Sequence, residues 1–241
     1  MKTALVIGFS IFFALTFFVF TMSHVYGGPL LQLKKGNIIR IIRVNVDPQK
    51  EDDFNRWYSA EHEHMLLKVP GVIWAYKGVN LGETGQKYFY LYVHENMDVQ
   101  KSDQYKAASQ TDWAKEIRPF LRDFEAMNYK VIVPGPIPTH YRKSNIIRTV
   151  QVDVDRDHEE DFNNWYNTEH IPLLKEVSGV SVIWRTTNLG EKGQKYLTVY
   201  FQENMDVQQR EDYKKASQTA WLKSLFPYLK DFSGNNFEIQ F

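Results

Sequence analysis

The sequence predicts an α+β protein in which two fused ferredoxin-like (βαββαβ) units form an intrachain pseudo-dimeric α+β barrel. Two observations lead to this prediction. Residues 37–124 align with residues 145–232 at a constant shift of 108 positions, and roughly half of the aligned residues are identical. Each copy also shows the same order of strand and helix patterns. Because one such unit leaves a face of its sheet uncovered, we expect the two copies to cover each other.

Four strands are predicted in each copy. Residues 37–46 are rich in β-branched side chains and predict the first strand. Residues 71–80 and 88–93 flank a glycine-containing turn and predict a hairpin. Residues 127–133, matched by 236–241 in the second copy, predict the closing strand.

Two helices are predicted in each copy. The first begins after Asp47, runs to about residue 68, and contains a stretch that the chain repeats, residues 54–62 and 162–170. Asp98 and its equivalent Asp206 predict the N-cap of the second helix. At helical spacing the repeated stretch places four apolar or aromatic side chains and one carboxylate on a single face. These are Phe54, Trp57, Tyr58, Glu61 and Met65, with Phe162, Trp165, Tyr166, Glu169 and Leu173 in the second copy.

The repeat also sets the predicted domain boundaries. The first repeat spans residues 37–134 and the second spans residues 145–241. Residues 135–144 form a proline-rich linker, because prolines cannot continue a helix or a central strand. Residues 28–36 form a second short linker before the first repeat.

Residues 1–27 predict a targeting segment rather than part of the fold. A basic start at Lys2 precedes an almost wholly apolar run from Ala4 to Met22, and small or modest residues follow it. This pattern predicts a signal peptide and therefore an exported, periplasmic or extracellular protein. The alternative is an uncleaved membrane anchor, since the run approaches the roughly 20 residues that span a bilayer. In both cases the segment engages the membrane at least during export, and the folded part lies outside the cytoplasm.

Composition excludes several classes of function. The chain has 29 basic and 29 acidic residues, so its charge does not favour a nucleic acid as partner. It has no cysteine, which excludes disulfides, thiolate metal sites and cysteine nucleophiles. The glycines of residues 82–85 lie between two strands and lack the lysine of a phosphate-binding loop.

Several motifs after position 36 point to a known family. They are the repeated Phe-Asn-x-Trp-Tyr-x-x-Glu-His, Ile171-Pro172-Leu173-Leu174, and residues 105–113 and 118–124. With these motifs the chain resembles the EthD-like branch of the dimeric α+β barrel superfamily. The resemblance implies a barrel fold and a histidine, here His62 and His170, that faces a cavity between helices and sheet. Members include cofactor-free monooxygenases, cyclases, isomerases, decarboxylases and haem-dependent enzymes. The fold alone does not choose among these activities.

Histidine and tyrosine form the first candidate catalytic pair. Tyr58 and His62 are four residues apart, as are Tyr166 and His170, so their side chains can meet on a helix. A phenol beside an imidazole could transfer protons on a carbonyl or phenolic substrate. The alternative is a structural hydrogen bond made by the histidine.

Glu61 and Glu169 form the second candidate pair. A desolvated carboxylate could serve as a base near neutral pH. The alternative, which we favour, is a structural ion pair with Arg40 or Arg148 on the first strand of each copy.

Repeated aromatic residues are candidates for substrate binding, because they could line a pocket for a planar molecule. The alternative is that they are plain core. The candidates are Trp57, Trp165, Tyr76, Trp184, Trp113 and Trp221.

No metal site and no cofactor is predicted. His62 and His64 are two residues apart, so their rings diverge on a helix, and the second copy has Pro172 in place of His64. Haem stays an alternative because the superfamily includes haem-dependent enzymes.

The sequence supports two hypotheses for function. The first is a cofactor-independent enzyme performing acid–base chemistry on an aromatic or polyketide-like molecule. The second is a non-catalytic exported module that binds a hydrophobic small molecule or a protein.

Overall fold

The computed structural model describes residues 31–138 and 145–240, which form eight strands and the helices that cover them. The predicted targeting segment, residues 1–27, lies outside the described residues. Within the described ranges, no helix is long and apolar enough to cross a membrane. The eight strands form one closed, antiparallel barrel in the order β1-β3-β2-β8-β5-β7-β6-β4. The predicted α+β class is therefore confirmed.

The strands are long and alternate between the barrel interior and the helix-covered outer face. Their bounds are β1 Ile38–Val46, β2 Val72–Asn80, β3 Tyr88–His94, β4 Leu121–Val133, β5 Ile146–Val154, β6 Val180–Asn188, β7 Tyr196–Gln202 and β8 Leu229–Gln240. The closing strands β4 and β8 begin six to seven residues earlier than the apolar pattern predicted, because residues 122–126 and most of residues 230–234 are exposed and form no buried apolar pattern.

The helices are short and occur in equivalent places in the two halves of the chain. They are α1 Glu51–Trp57, α2 Glu63–Leu67, α3 Asp103–Ser109, α4 Asp112–Ile117, α5 Glu159–Trp165, α6 Ile171–Lys175, α7 Glu211–Ser217 and α8 Ala220–Leu225. A π-helical turn joins α1 to α2 at Tyr58–His62, and another joins α5 to α6 at Tyr166–His170. Each half therefore has the order strand, helix, strand, strand, helix, strand.

The second helical segment of each half differs from the single helix that we expected. Asn96, not Asp98, caps a turn of 3₁₀-helix by accepting a hydrogen bond from the Asp98 amide. Ser102 then caps α3 and Thr111 caps α4. In the second half Asn204, not Asp206, caps the corresponding turn. The N-cap prediction was wrong because an extended Asn at either position places its side-chain oxygen nearer the free amides.

Two seams join the halves into the barrel. At one seam β2 pairs with β8, and at the other β4 pairs with β6. Side chains of both halves fill the interior; for example, the Phe89 and Phe237 rings stack with centroids 4.1 Å apart. Two further apolar clusters, one in each half, lie between the outer face of the sheet and the helices.

Residues on either side of the first repeat pack into the barrel. Leu33 donates its amide hydrogen to Gly135, and Ile137 donates to Leu31, so the two segments pair over a short distance. Leu33 and Ile137 are buried among the interior side chains. These described parts of the two predicted linkers therefore contribute to the core.

Candidate functional site

A cavity of about 550 Å³ lies in the second half, between the outer face of the sheet and the helices. The sheet contributes Arg148, Val150, Val152, Tyr200, Leu229 and Phe232 to its wall. The helical segments contribute Phe162, Trp165, Tyr166, His170, Tyr213, Ser217, Gln218, Leu222, Lys223 and Phe226. The repeated motif thus supplies a large part of the wall.

The π-helical turn explains how the motif reaches the cavity. In a π-helix the hydrogen bonds run from residue i to i+5, so each turn holds one extra residue. Trp165 and His170, five residues apart, lie with ring centroids 4.5 Å apart. The equivalent Trp57 and His62 lie 4.4 Å apart. The extra residue therefore stacks each histidine on the tryptophan of the same motif.

The same turn shifts the buried stripe by one residue from the predicted one. His170, Ile171 and Leu174 are buried, whereas Leu173 is 40% exposed. Glu169 is only half-buried. The prediction of a carboxylate and Leu173 on the buried stripe was wrong, because it assumed an unbroken α-helix. The residue that enters the apolar face is the histidine.

His170 is the end of a buried chain of hydrogen bonds. Its Nε2 lies 3.2 Å from the Tyr200 hydroxyl, which lies 2.8 Å from the Tyr166 hydroxyl. The Thr198 hydroxyl donates to Tyr166 over 3.0 Å. This order lets Tyr166 donate to Tyr200 and Tyr200 donate to a neutral His170. Tyr200 was missed by sequence analysis, although the alternation of Tyr196 and Tyr200 on one strand face was a usable signal.

Burial sets the protonation states of this chain. It lowers the pKa of His170 to about 4, and the nearby positive charge of Arg185 acts in the same direction, although the backbone of Ala216 opposes it. His170 is therefore a neutral imidazole near pH 7. Burial also raises the pKa of Tyr166 and of Tyr200, so both phenols keep their protons. The site holds a neutral acceptor with two neutral hydroxyl donors behind it.

Arg185 packs against the ring of Tyr166. Its guanidinium is buried and lies 4.4 Å from the centroid of the Tyr166 ring and 4.8 Å from that of Tyr196. It donates hydrogen bonds to the side-chain oxygens of Asn163 and Asn167. Its positive charge favours a phenolate at Tyr166 and so acts against the effect of burial on the pKa of that phenol.

The glutamates make structural hydrogen bonds instead of the ion pairs that we favoured. Glu61 accepts from the Thr111 hydroxyl at 2.5 Å, and Glu169 accepts from the Trp165 indole at 3.1 Å. Arg40 donates to side-chain amides of the first half, and Arg148 does so in the second. The predicted pairing of glutamate with arginine was wrong, because the arginines lie among amides.

The predicted aromatic residues divide between several environments. Tyr76 and Trp184 lie inside the barrel, on the opposite face of the sheet from the cavity. Trp113 and Trp221 pack at the edges of the helix-covered clusters. Trp165 lines the cavity, and Trp57 has the equivalent place in the first half. Of the predicted binding residues, Trp165 alone is in the cavity wall.

The first half surrounds its copy of the motif with different side chains. Tyr90 stands where the second half has Thr198, and its ring lies 4.1 Å from the ring of Tyr58. Arg118 stands where the second half has Phe226, and it donates to the Ser109 carbonyl. Together with burial, the charge of Arg118 lowers the pKa of His62 to about 4. The two copies of the motif thus have different surroundings.

The donor set at the cavity does not fit a haem iron. The Nε2 atom of His170 is hydrogen-bonded to Tyr200, and the ring is stacked on Trp165. An iron bound at Nε2 would replace that hydrogen bond and leave the Tyr200 hydroxyl without its acceptor. In the described ranges, three or more histidine, aspartate or glutamate side chains do not converge to hold a metal ion. The site is therefore interpreted through its own side chains.

Solved structures share the fold at low sequence identity. A candidate monooxygenase from Lactobacillus acidophilus matches with a TM-score of 0.59 and 13% identity, over 85% of this chain and 94% of its own. An anthrone oxidase-like protein matches with a TM-score of 0.59 and 10% identity, over 87% and 94%. A variant of chlorite dismutase from Candidatus Nitrospira defluvii matches with a TM-score of 0.61 and 9% identity, over 86% and 93%.

These likenesses show the fold, that of the dimeric α+β barrel proteins. No protein-family model and no curated protein sequence matches the chain. What the chain does therefore has to be argued from its own site.

Proposed function

We propose that the second half carries a cofactor-independent acid–base site for a small aromatic or polyketide-like molecule. The observation that supports this most is the cavity itself, where an apolar wall surrounds a neutral imidazole backed by two phenols. Concave apolar sites with few convergent polar groups are the usual form of small-molecule sites. The anthrone oxidase-like and candidate monooxygenase structures have the same fold, which agrees with this class of chemistry.

The hydrogen-bond chain suggests how a proton would move. The Tyr200 hydroxyl passes its proton to Nε2 of His170 and accepts the proton of an acidic C–H or O–H group of the substrate. Tyr166 keeps its hydrogen bond to the Tyr200 oxygen throughout. The substrate becomes an anion and His170 becomes an imidazolium. The reverse transfer, to another atom of the substrate, completes an isomerisation.

The wider setting is proposed on the sequence. We propose that the chain belongs to the EthD-like branch, that it arose by internal duplication, and that residues 1–27 direct its export. Cleavage of this segment would leave a periplasmic or extracellular protein, and retention would leave a membrane-anchored one. The constant shift of 108 positions and the apolar run from Ala4 to Met22 support these proposals.

A non-catalytic binding module is the alternative function. Phe226 and Phe232 line the cavity and are 64% and 57% exposed, which suits the capture of an apolar ligand. The two functions differ in what His170 does. A binding module would depend on the aromatic wall, whereas an enzyme would depend on the imidazole.

Replacing His170 by Ala tests the enzymatic proposal, with His62→Ala as the matched control. Turnover is measured by screening phenols and anthrones for consumption by absorbance, and near-ultraviolet circular dichroism verifies the fold. We expect H170A to lose about 100-fold or more in kcat, the usual effect of removing a general base, and H62A to keep the wild-type rate. Equal rates for wild type and H170A on a turned-over substrate would contradict the catalytic role of His170.

A further inference from the structure

We propose that the cavity selects aromatic ligands that carry an anionic oxygen, and that Arg148 binds that oxygen. This inference rests on the proposed function, because it names the ligand class of the same cavity. It extends that function by adding a charge requirement that neither the motif nor the shared fold contains.

The charge distribution of the cavity wall supports the proposal first. Arg148 and Lys223 both line the cavity, and none of the lining residues is acidic. Neither cation forms an ion pair with any residue in the described ranges. Two positive charges therefore face a largely apolar space with no negative charge in its wall. Electrostatic attraction is strengthened in such a space because the surroundings screen it weakly.

The hydrogen-bond partners of Arg148 are the second observation that supports the proposed anion site. One terminal nitrogen of its guanidinium, Nη1, donates to Gln208 at 2.9 Å and to Asn236 at 3.3 Å. The Gln208 amide in turn donates to Asn236 and to Gln202, so this polar cluster is neutral apart from the arginine. The amides hold the guanidinium in place without cancelling its charge. Its planar set of donors suits a carboxylate, phenolate or enolate oxygen.

The third observation that supports the proposed anion site is the weak basicity of the histidine in the same cavity. A neutral His170 is a weak base, since burial lowers its pKa to about 4. Removal of a proton from a phenol or an enolisable ketone by such a base becomes favourable only if the resulting anion is stabilised. Arg148 on β5 is directly opposite Tyr200 on the neighbouring strand β7, and both side chains line the cavity. The positive charge of Arg148 and the proton acceptor His170 can therefore act on the same bound ligand.

The aromatic part of the wall favours a flat ligand. Phe162, Trp165 and Tyr213 line the cavity together with the exposed Phe226 and Phe232. Ring systems bury large apolar areas against such side chains. Lys223 is exposed and close to Phe226 in the sequence, where it can meet an approaching anion before it enters.

Two fluorescent dyes of similar shape test the proposal. Anilinonaphthalene sulfonate carries an anionic group, and N-phenylnaphthylamine is its neutral analogue. Titration of the full chain with each dye gives a ratio of dissociation constants. We expect the sulfonate to bind about tenfold more tightly or better, because hydrogen bonds to a charged group outweigh neutral ones by this amount. Equal affinity for the two dyes would overturn the proposal.

Arg148→Gln and its counterpart Arg40→Gln locate the effect. R148Q is expected to abolish the preference for the sulfonate, R148K to keep most of it, and R40Q to leave it unchanged. A preference that survives in folded R148Q would contradict the role of Arg148. If R148Q does not fold, Lys223→Gln decides between the two cations of the wall. We expect K223Q to keep the preference, and its loss there would contradict the role of Arg148.

The dye experiment separates this proposal from the proposed function. His170→Ala leaves both cations in place, so it is expected to retain the dye preference while turnover is lost. Loss of turnover without any dye preference would reject the anion site and keep the catalytic histidine. A dye preference with unchanged turnover in H170A would reject the catalytic histidine and keep the anion site.

Discussion

Three histidines, of which His94 and His170 are buried and His62 is half-buried, show how single residues couple this fold to pH. Burial lowers the pKa of His62, His94 and His170 to about 4 in each case. In the unfolded chain each would titrate at its ordinary pKa of about 6.5. Between these two values the unfolded state binds more protons than the folded state. The histidines therefore leave the protein fully stable above about pH 6.5 and destabilise it as the pH falls towards 4.

His94 offers a direct test of this coupling, because the second half has Gln202 at the equivalent position. Gln100 hydrogen-bonds to His94, and Gln208 hydrogen-bonds in the same way to Gln202. We expect His94→Gln to fold normally. When the pH falls from 7 to 5, its free energy of unfolding should decrease by roughly 2 kcal/mol less than that of the wild type. Urea unfolding at the two pH values measures this difference.

The charged and titratable groups that face His94 are the same in the variant. They include Arg40, whose charge helps to lower the pKa of His94, and two tyrosines. The rings of Tyr105 and Tyr92 lie 5.5 Å and 6.2 Å from the His94 ring. An identical loss of stability in wild type and H94Q would show that His94 does not carry the pH dependence attributed to it.

At the scale of elements, the π-helical turns were the feature that sequence reasoning could not supply. Most strand positions and the first helix of each half follow from β-branched runs, turn residues and apolar spacing. The structure has these elements close to the predicted bounds, except that β4 and β8 begin earlier. A π-helical turn changes the register by one residue and has no apolar signature of its own. The sequence therefore indicated the right motif, but it placed Glu169 on the buried face where the structure has His170.

Other features of the site were not predicted because they depend on contacts between segments that are distant in the sequence. The amide partners of Arg148 come from residues 60 and 88 positions away along the chain. The difference between Thr198 and Tyr90 is visible in the sequence, but the contact of the Tyr90 ring with Tyr58 forms only after folding. Local patterns predict elements, whereas a cavity depends on which side chains meet after folding.

Deleting Thr168 tests what the second π-helical turn is for. Thr168 is exposed, and its removal allows a continuous α-helix in which His170 and Leu174 stay on the face of Phe162 and Tyr166. We expect the free energy of unfolding to change by less than about 1 kcal/mol, because the buried face is kept. We expect turnover to fall at least tenfold, because His170 moves relative to Tyr200.

The equivalent deletion of Ala60 in the first half serves as the control. It regularises the other π-helical turn without touching the cavity, so it is expected to leave turnover unchanged. Chemical denaturation and the substrate assay are applied to both variants. Full activity after the deletion of Thr168 would mean that the turn is a packing solution and does not position the histidine.

The whole molecule depends on its two seams, because the interior of the barrel is built from both halves. Gly78 on β2 lies against Phe237 of β8 at one seam. A methyl group on Gly78 would lie 2.9 Å from the Cβ atom of Phe237, closer than side chains normally approach. Phe237 is fixed by its stacking on Phe89, so it has little room to move away. The seam therefore requires the absence of a side chain at this position.

We expect Gly78→Ala to destabilise the whole barrel by about 1–3 kcal/mol, the usual cost of overpacking a core. Gly190→Ala is the control, since its methyl group would meet the Asn188 side chain at 3.5 Å and the Lys192 amide nitrogen at 3.9 Å, both ordinary contacts. We expect a change within about 0.5 kcal/mol. Urea unfolding followed by tryptophan fluorescence measures both variants.

The number of unfolding transitions tests whether the halves depend on each other. Because Trp57 lies in the first half and Trp165 in the second, a single transition in G78A would show that the two halves unfold together. Two separated transitions would show that each half holds its own stability and that the seam only joins them. An unchanged free energy of unfolding in G78A would mean that β2 and β8 can move apart at no cost, contrary to the close packing of Phe237 at this seam.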